Sequence, residues 1–240
     1  TITEFVRLAQ AAPEELSAMI NVMPAPPMPF LPKEQHGQLV VLALLTYAGP
    51  ATDAEPVLAP FRAVATPLAD LLQEMPYTGM FQPEPDDFHP IATIGNGYSR
   101  GFDRSHAQLI LDTLVKQLAS PDVQMAIVNT RVLGGAISRV NPGATAYAHR
   151  EWPLMVNVAA IVSDPKALDA QRPWVEALGA SLSDGTPGAY GNFVGDEESD
   201  RIHDIYPPET YARLAKVKAD WDPDNVFHRG HTVPPERPAG

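Results

Sequence analysis

The residues "SHAQLILDTLVKQLA" (105–119), followed three residues later by "VQMAIVNTRV" (123–132), are the clearest structural signal in the chain. The first part predicts a helix with Ser105 as its N-cap, because apolar residues recur on one face: Ala107, Ile110, Leu111, Leu114 and Leu118. The second part predicts a strand over Val123 to Val132 because it is apolar and β-branched. A helix that runs so quickly into a strand indicates a mixed domain.

Further elements are predicted on both sides of this pair. The expected strands are Ala18 to Met23, 38–47, 92–102, Ala144 to His149 and Leu154 to Val162, and the expected helices are 3–10, Thr52 to Ala63, Pro165 to Ala180 and 207–221. Because strands and helices do not alternate regularly, we predict an α+β fold with a largely antiparallel sheet flanked by helices. The continuous apolar run in 38–47 predicts a strand that is central or covered on both faces.

Composition limits the classes of function. A chain of 240 residues with a formal net charge of −12 and scattered Lys and Arg residues predicts no nucleic-acid partner and no anionic membrane surface. The longest apolar run, Leu39 to Leu45, is too short to span a membrane, so we expect a soluble, cytoplasmic protein. With no cysteine in the chain, disulfides, thiolate metal sites and a cysteine nucleophile are excluded.

Two sequence patterns resemble ligand-binding motifs but have the wrong spacing. Read from Asp220, "DWDPDN" imitates a calcium loop, yet Asn225 and His231 stand where the turn glycine and the bidentate Glu are needed. We therefore predict no metal site, and interpret Asp222-Pro223 as a helix stop that returns the chain to the core through Phe227. In "ATIGNGYSRGF" (92–102), G-x-G-x-x-x-G is one residue longer than the dinucleotide fingerprint, so these glycines predict a bulge or a close approach.

Two segments near the middle of the chain contain candidate site residues. In "RVLGGAISRV" (131–140), Gly134 and Gly135 interrupt an apolar strand, which predicts close approach of a backbone or a flat ligand, or alternatively a bulge at a turn. In the next expected strand, Tyr147, His149 and Glu151 share one face. His149 and Glu151 form an acid/base pair or, as we favour because no nucleophile is nearby, His149 is a hydrogen-bonded structural residue.

A third candidate segment is "GAYGNFVGDEESD" (188–200). If it is extended, Tyr190 and Asn192 lie side by side and pair a phenol with an amide, which suits the edge of a planar heterocycle. The acidic run Asp196 to Asp200 predicts a helix start or a solvated turn. The helix that follows has Tyr211, Leu214 and Val217 on its expected inner face.

The succession "AYGNF", an acidic stretch and "YARLAKVKADWDPDNVF" resembles the C-terminal signature of berberine-bridge-enzyme-like flavoprotein oxidases, in the vanillyl-alcohol oxidase/p-cresol methylhydroxylase superfamily. The segment "LGGAISRV…ATAYAHR" resembles a core segment of the same family, and the resemblance extends from about residue 10 to 235. It implies an FAD-dependent oxidoreductase that oxidises an alcohol, a sugar or a secondary metabolite. The mechanism implied is abstraction of a substrate proton with hydride transfer to flavin.

The resemblance also implies a domain organisation. Residues 1–184 would form the substrate-binding domain, and residues 185–240 a C-terminal segment that returns toward the flavin. The FAD-binding domain, with the residues that attach FAD, would lie upstream or on a separate chain. We expect this chain alone to be inactive, and its exposed sheet face to favour self-association into a homo-oligomer.

Roles follow for individual residues. Tyr190 matches the first aromatic residue of the family's Tyr-x-Asn-Tyr segment. Phe193 departs from the second Tyr, which leaves Tyr190 or a group on another strand as the catalytic base. Asn192, Gly134 and Gly135 would lie near the cofactor, and three residues are candidate substrate contacts: Asn157, Tyr147 and His149. A phenol needs a nearby positive charge or hydrogen bonds to act as a base at neutral pH, and Arg150 or the flavin site could supply the charge. The alternative function is a free-standing, non-catalytic binding module with the same fold.

Overall fold

The sheet is antiparallel and has five strands. The computed structural model describes residues 1–81, 89–183, 185, 187–195 and 201–236. The strands are β1 (Leu16–Pro24), β2 (Leu39–Tyr47), β3 (Ile91–Ser99), β4 (Val123–Val132) and β5 (Leu154–Val162), and their spatial order is β2-β1-β4-β5-β3. The helices are α1 (Ile2–Ala11), α2 (Ala51–Arg62), α3 (Arg104–Leu118), α4 (Ala136–Arg139), α5 (Leu168–Leu182), α6 (Ile202–Ile205) and α7 (Pro208–Trp221). The predicted α+β fold class is confirmed.

Helices cover one face of the sheet and form the main core with it. Helices α1, α3 and α5 contribute Phe5, Val6, Ile110, Leu114, Val175 and Leu182, and the facing strand residues include Ile20, Val22, Val128, Val156 and Val158. Because side chains alternate along a strand, the residues between these core positions point to the opposite face, which we call the open face.

Two glycines of β3 allow helix α5 to pack closely. A Cβ atom at Gly95 would lie 3.0 Å from the carbonyl oxygen of Val175, and one at Gly97 would lie 3.0 Å from the Cβ of Ser183. The close-approach interpretation is confirmed at these two positions, and the approaching group is a helix of the same chain.

Strand β2 is an edge strand, so the prediction of a central, doubly covered strand is wrong. Its apolar run is continuous for two separate reasons: Leu39, Val41 and Leu45 pack against the main core, whereas Leu42 and Leu44 are exposed on the open face. A strand with apolar residues on both faces looks buried in sequence, although only one of its faces is covered here.

The expected strand over Ala144 to His149 is also absent, and Gly134 and Gly135 lie after a strand rather than within one. Strands β4 and β5 pair directly up to Val132 and Leu154, so residues 133–153 form a long hairpin connection, closed by a 2.8 Å hydrogen bond from Leu133 N to Pro153 O. The connection contains α4 and a 3₁₀ turn at Pro142–Ala144. It therefore leaves the sheet and supplies side chains that lie over the open face.

Helix α3 begins two residues earlier than expected, because Asp103 is its N-cap instead of Ser105. The Asp103 carboxylate accepts hydrogen bonds from the backbone N–H groups of Ser105 (2.8 Å) and His106 (3.1 Å), and the His106 side chain completes a capping box. A 2.6 Å hydrogen bond from the Ser105 hydroxyl, followed by the bond from His106 N, holds the pKa of Asp103 well below its usual range.

The C-terminal turn is organised by Asp222. Its carboxylate accepts hydrogen bonds from Val226 N (2.8 Å), Phe227 N (3.0 Å) and the Lys218 ammonium, and Lys218 lowers the pKa of Asp222. Phe227 and Val217 are both exposed, so the predictions that they face the interior are wrong. The chain reverses direction here because the Asp222 carboxylate accepts hydrogen bonds from the backbone of Val226 and Phe227, and the exposed Phe227 side chain does not fix the turn.

Two further expectations concern membrane-spanning helices and the acidic run. None of the helices in the described ranges is long and apolar enough to cross a membrane. The acidic run Asp196 to Asp200, predicted as a helix start or a turn, lies outside the described residues.

Candidate functional site

A row of four asparagines crosses the open face. The strand registers place Asn21, Asn129, Asn157 and Asn96 opposite one another on β1, β4, β5 and β3. Directly opposed residues in antiparallel strands project to the same face, so these amides form one polar line, which we call the asparagine row. The Asn129 amide donates a 2.7 Å hydrogen bond to the Asn21 side-chain oxygen. The buried Oδ1 atoms of Asn129 and Asn157 have no partner within the described part of the chain.

An aromatic cluster lies next to the Asn96 end of this row. It contains Tyr98 of β3, Tyr147, His149 and Trp152 of the β4–β5 connection, and Tyr190 and Phe193. The rings of Tyr147 and Tyr190 meet edge to face with centroids 6.1 Å apart, and those of Tyr190 and Phe193 are 5.4 Å apart. Tyr98 is fully buried, and burial, followed by the neighbouring Tyr147 phenol, raises its pKa, so that it stays protonated.

The structure brings Tyr190 and Asn192 together, but not through an extended segment. Residues Gly191–Phe193 form a 3₁₀ turn closed by a 2.8 Å hydrogen bond from Phe193 N to Tyr190 O, so the predicted strand-like alternation is wrong. The turn folds Asn192 back, and its amide donates a 3.0 Å hydrogen bond to the Tyr190 phenol oxygen. The turn therefore brings the Asn192 amide onto the Tyr190 phenol.

The positive charge next to Tyr190 belongs to Arg131 of β4. Its guanidinium lies 4.7 Å from the centroid of the Phe193 ring, and burial lowers the pKa of Arg131 while the neighbouring Tyr190 phenol opposes that shift. Arg150, the side chain named from sequence, instead lies over Tyr147 and donates a 2.8 Å hydrogen bond to the Thr145 hydroxyl. Sequence reasoning missed Arg131 because only the strand register places it on the open face.

His149 is a buried member of the aromatic cluster. Its ring stacks on Tyr98 with centroids 4.8 Å apart, and Nε2 donates a 2.7 Å hydrogen bond to the backbone oxygen of Asp204. Burial lowers the pKa of His149. Gly188, with φ of 131°, lets the backbone pass this ring, because a Cβ there would lie 2.9 Å from His149 Cε1. These contacts favour the structural interpretation over an acid/base pair with Glu151.

Gly134 and Gly135 follow strand β4 after Leu133, with φ of 134° and 51°. A Cβ at Gly134 would contact no atom within 4 Å, whereas one at Gly135 would lie 3.1 Å from Glu14 Cγ. Their positive φ explains why glycine is needed here. Their role as cofactor contacts remains a prediction.

The C-terminal return contacts the turn that carries Tyr190. His231 Nε2 donates a 2.8 Å hydrogen bond to the backbone oxygen of Val194, which gives a position to a histidine that sequence reasoning left unassigned. Within the described ranges, no group of His, Cys, Asp and Glu side chains is arranged to hold a metal ion.

Comparisons with known proteins give berberine-like and FAD-linked proteins as similar to this chain. Residues 189–234 match the family model described as "Berberine and berberine like". The chain is 28% identical over 210 residues to the uncharacterised FAD-linked oxidoreductase YgaK of Bacillus subtilis, covering 87% of this chain and 45% of that protein. It is 31% identical over 107 residues to a chitooligosaccharide oxidase of Gibberella zeae, covering 42% and 22% of the two chains.

Solved structures share the fold. A glycopeptide hexose oxidase crystallised with teicoplanin matches with a TM-score of 0.71 at 22% identity, over 97% of this chain and 51% of that one. A berberine-bridge-enzyme-like protein of Arabidopsis thaliana matches with a TM-score of 0.70 at 15% identity, over 98% and 53%. The chain therefore has the class of fold found in about half of a berberine-bridge-enzyme-like protein.

Together these matches confirm the resemblance to berberine-bridge-enzyme-like oxidoreductases. The family model matches residues 189–234. The curated relatives are named FAD-linked oxidoreductases or oxidases. The chain spans about half the length of YgaK and of the matched structures.

Proposed function

We propose that this chain forms the substrate-facing half of an FAD-dependent oxidoreductase that oxidises an alcohol group of a sugar or a secondary metabolite. The observation that carries the proposal is the hydrogen bond from the Asn192 amide to the Tyr190 phenol oxygen, at the end of the asparagine row and near Arg131. A hydrogen-bond donor and a nearby cation stabilise a phenolate, which is the form of tyrosine that can take a proton.

Each residue of the site has a role in this proposal. Tyr190, as a phenolate, takes the proton of the substrate hydroxyl and becomes a neutral phenol, while Asn192 and Arg131 stabilise the phenolate before this transfer. Asn157 and Tyr147 contact the substrate, because the unpartnered Asn157 Oδ1 needs a hydrogen-bond donor and Tyr147 packs against Tyr190. His149 supports these groups.

The open face fits a planar cofactor and a substrate bound above it. Within the described residues it has partly exposed strand side chains, aromatic rings at one end and two buried amide oxygens, those of Asn129 and Asn157, without a hydrogen-bond partner. Asn192, Gly134 and Gly135 would contact the cofactor, the two glycines because they carry no side chain at the end of β4. When bound, FAD supplies the acceptor for the hydride of the substrate C–H bond.

The proposed division is a substrate-binding domain over residues 1–184 and a C-terminal segment over residues 185–240. FAD attachment is assigned to a domain upstream or on a separate chain, since the sequence of this chain has no dinucleotide-binding glycine fingerprint. Residues 1–240 alone are therefore expected to retain little FAD and to be inactive.

The test uses the longest natural protein that contains this chain. Flavin absorbance is measured after purification, and the protein is mixed anaerobically with glucose, cellobiose, chitobiose and xylobiose, and with an aglycone polyketide alcohol. Bleaching of the flavin by one of these compounds supports the proposal. A protein without flavin, or with flavin that none of them reduces, would instead favour the non-catalytic binding module.

A further inference from the structure

The side chain of Asn96 holds both ends of the turn that carries Tyr190. Its Oδ1 accepts a 2.7 Å hydrogen bond from Tyr190 N, and its Nδ2 donates a 2.8 Å hydrogen bond to Phe193 O. The amide orientation is determined by these partners, because a backbone N–H needs an acceptor and a carbonyl needs a donor. One buried side chain therefore satisfies two backbone groups of a segment about a hundred residues away in sequence.

This contact ties the turn to the sheet face on which the asparagine row lies. Asn96 occupies the end of the row, opposite Asn157. A further hydrogen bond, 3.4 Å long, joins the Arg201 guanidinium to the backbone oxygen of Asn96. The two side-chain bonds of Asn96 therefore fix the position of the Tyr190 backbone relative to β3. The hydrogen bond within the turn, from Phe193 N to Tyr190 O, fixes only the shape of the turn.

The contact lies on the opposite side of β3 from the main core. Neighbouring Gly95 and Gly97 face helix α5, and Asn96 faces the open side. Loss of the Asn96 amide should therefore release the turn while the packing of β3 against α5 persists.

We propose that Asn96 is a positioning residue for Tyr190: its amide holds the 190–193 turn so that the phenol stays above the end of the asparagine row. The proposal rests on the proposed function, in which Tyr190 removes the substrate proton. Aspartate at position 96 keeps the acceptor for Tyr190 N but cannot donate to Phe193 O when ionised, and leucine at this position loses both bonds.

The first experiment is hydrogen exchange at the Tyr190 amide in the full-length protein, comparing wild type with Asn96→Leu and Asn96→Asp. We expect exchange at Tyr190 to become at least about 10-fold faster in Asn96→Leu and to change less in Asn96→Asp, because only the latter keeps an acceptor. Thr93→Val, a buried change on the core side of the same strand, is the control and should leave Tyr190 exchange unchanged. Wild-type exchange in Asn96→Leu would overturn the proposal without any measurement of turnover.

The second experiment measures anaerobic flavin reduction by whichever compound of the panel reduces the wild type fastest. Asn96→Leu should lower the reduction rate about 10-fold or more, yet Asn96→Leu combined with Tyr190→Phe should be no slower than Tyr190→Phe alone, since Asn96 acts through the phenol. Additive losses would mean that Asn96 acts independently of Tyr190 and would overturn the proposal. The flavin of Tyr190→Phe could be reduced at the wild-type rate while exchange at the Tyr190 amide is faster in Asn96→Leu. In that case the proposed role of Tyr190 fails, and the Asn96 contact is a structural one.

Discussion

Asn192 donates a 3.0 Å hydrogen bond to the phenol oxygen of Tyr190, two residues before it in the chain. The pair is local in sequence, but its geometry comes from a 3₁₀ turn rather than from a strand. In a strand the two side chains would project side by side; in the turn one folds onto the other. The phenol thus has a hydrogen-bond donor of its own chain before any ligand binds.

Replacing Tyr190 tests this assignment. In the full-length protein, Tyr190→Phe should lower the rate of anaerobic flavin reduction by about 10²-fold or more, since the ring remains and only the proton acceptor is lost. Flavin content, measured by absorbance, should be unchanged. Tyr77→Phe, which alters an exposed phenol outside the cluster, is the control. An unchanged reduction rate would leave Tyr190 as a packing residue.

Arg131 is expected to stabilise the negative charge on Tyr190. Arg131→Met keeps much of the aliphatic stem and removes the cation, so flavin reduction near neutral pH should slow about 10-fold and partly recover as the pH is raised. The matched control is Arg100→Met, which removes a guanidinium 4.2 Å from the Trp152 ring. Equal effects of the two substitutions on stopped-flow reduction rates would contradict a specific role for Arg131.

His149 should make the stability of the chain depend on pH. Burial lowers its folded-state pKa below the usual 6.5, although Asp204 and Glu151 oppose the shift, so the unfolded chain binds the proton more readily. The contribution of neutral His149 to the free energy of unfolding is fully present above about pH 6.5. It is lost as the pH falls toward the folded-state pKa, by at most about 1.4 kcal/mol per pH unit. Urea unfolding at pH 7.5 and 5.5 measures it.

The control for this prediction is His149→Gln, which keeps a donor for the Asp204 oxygen but does not titrate. Its urea midpoint should change less between the two pH values than that of the wild type. An equal change in both proteins would show that other groups cause the acid sensitivity.

The open face should drive self-association of residues 1–240. Leu42 and Leu44 project from the edge strand next to Asn21 and Met19, and both are exposed. Leu42→Ser combined with Leu44→Ser should shift the mass measured by light scattering toward that of the monomer. Val115→Ser combined with Val217→Ser removes exposed apolar groups from helices instead and should have no such effect. A wild-type chain that is already monomeric at high concentration would refute the prediction.

Residue periodicity alone identified most of the elements. The stripe from Ala107 to Leu118 marked α3, and apolar runs marked all five strands. These patterns could be read because they depend only on residues close together in the chain. The "AYGNF" and "YARLAKVKADWDPDNVF" segments also sufficed for the family resemblance. The family resemblance was therefore predictable from local sequence, whereas the roles of the site residues stay predictions.

The tertiary structure decided which side chains meet. Asn21, Asn96 and Asn129 attract no notice in sequence, yet strand register aligns them with Asn157 on a single face. Arg131 replaces Arg150 as the cation next to Tyr190 for the same reason. Local patterns constrain a residue's own dihedrals, whereas pairing between strands and the route of a long hairpin connection depend on contacts between residues far apart in the chain, which periodicity does not encode.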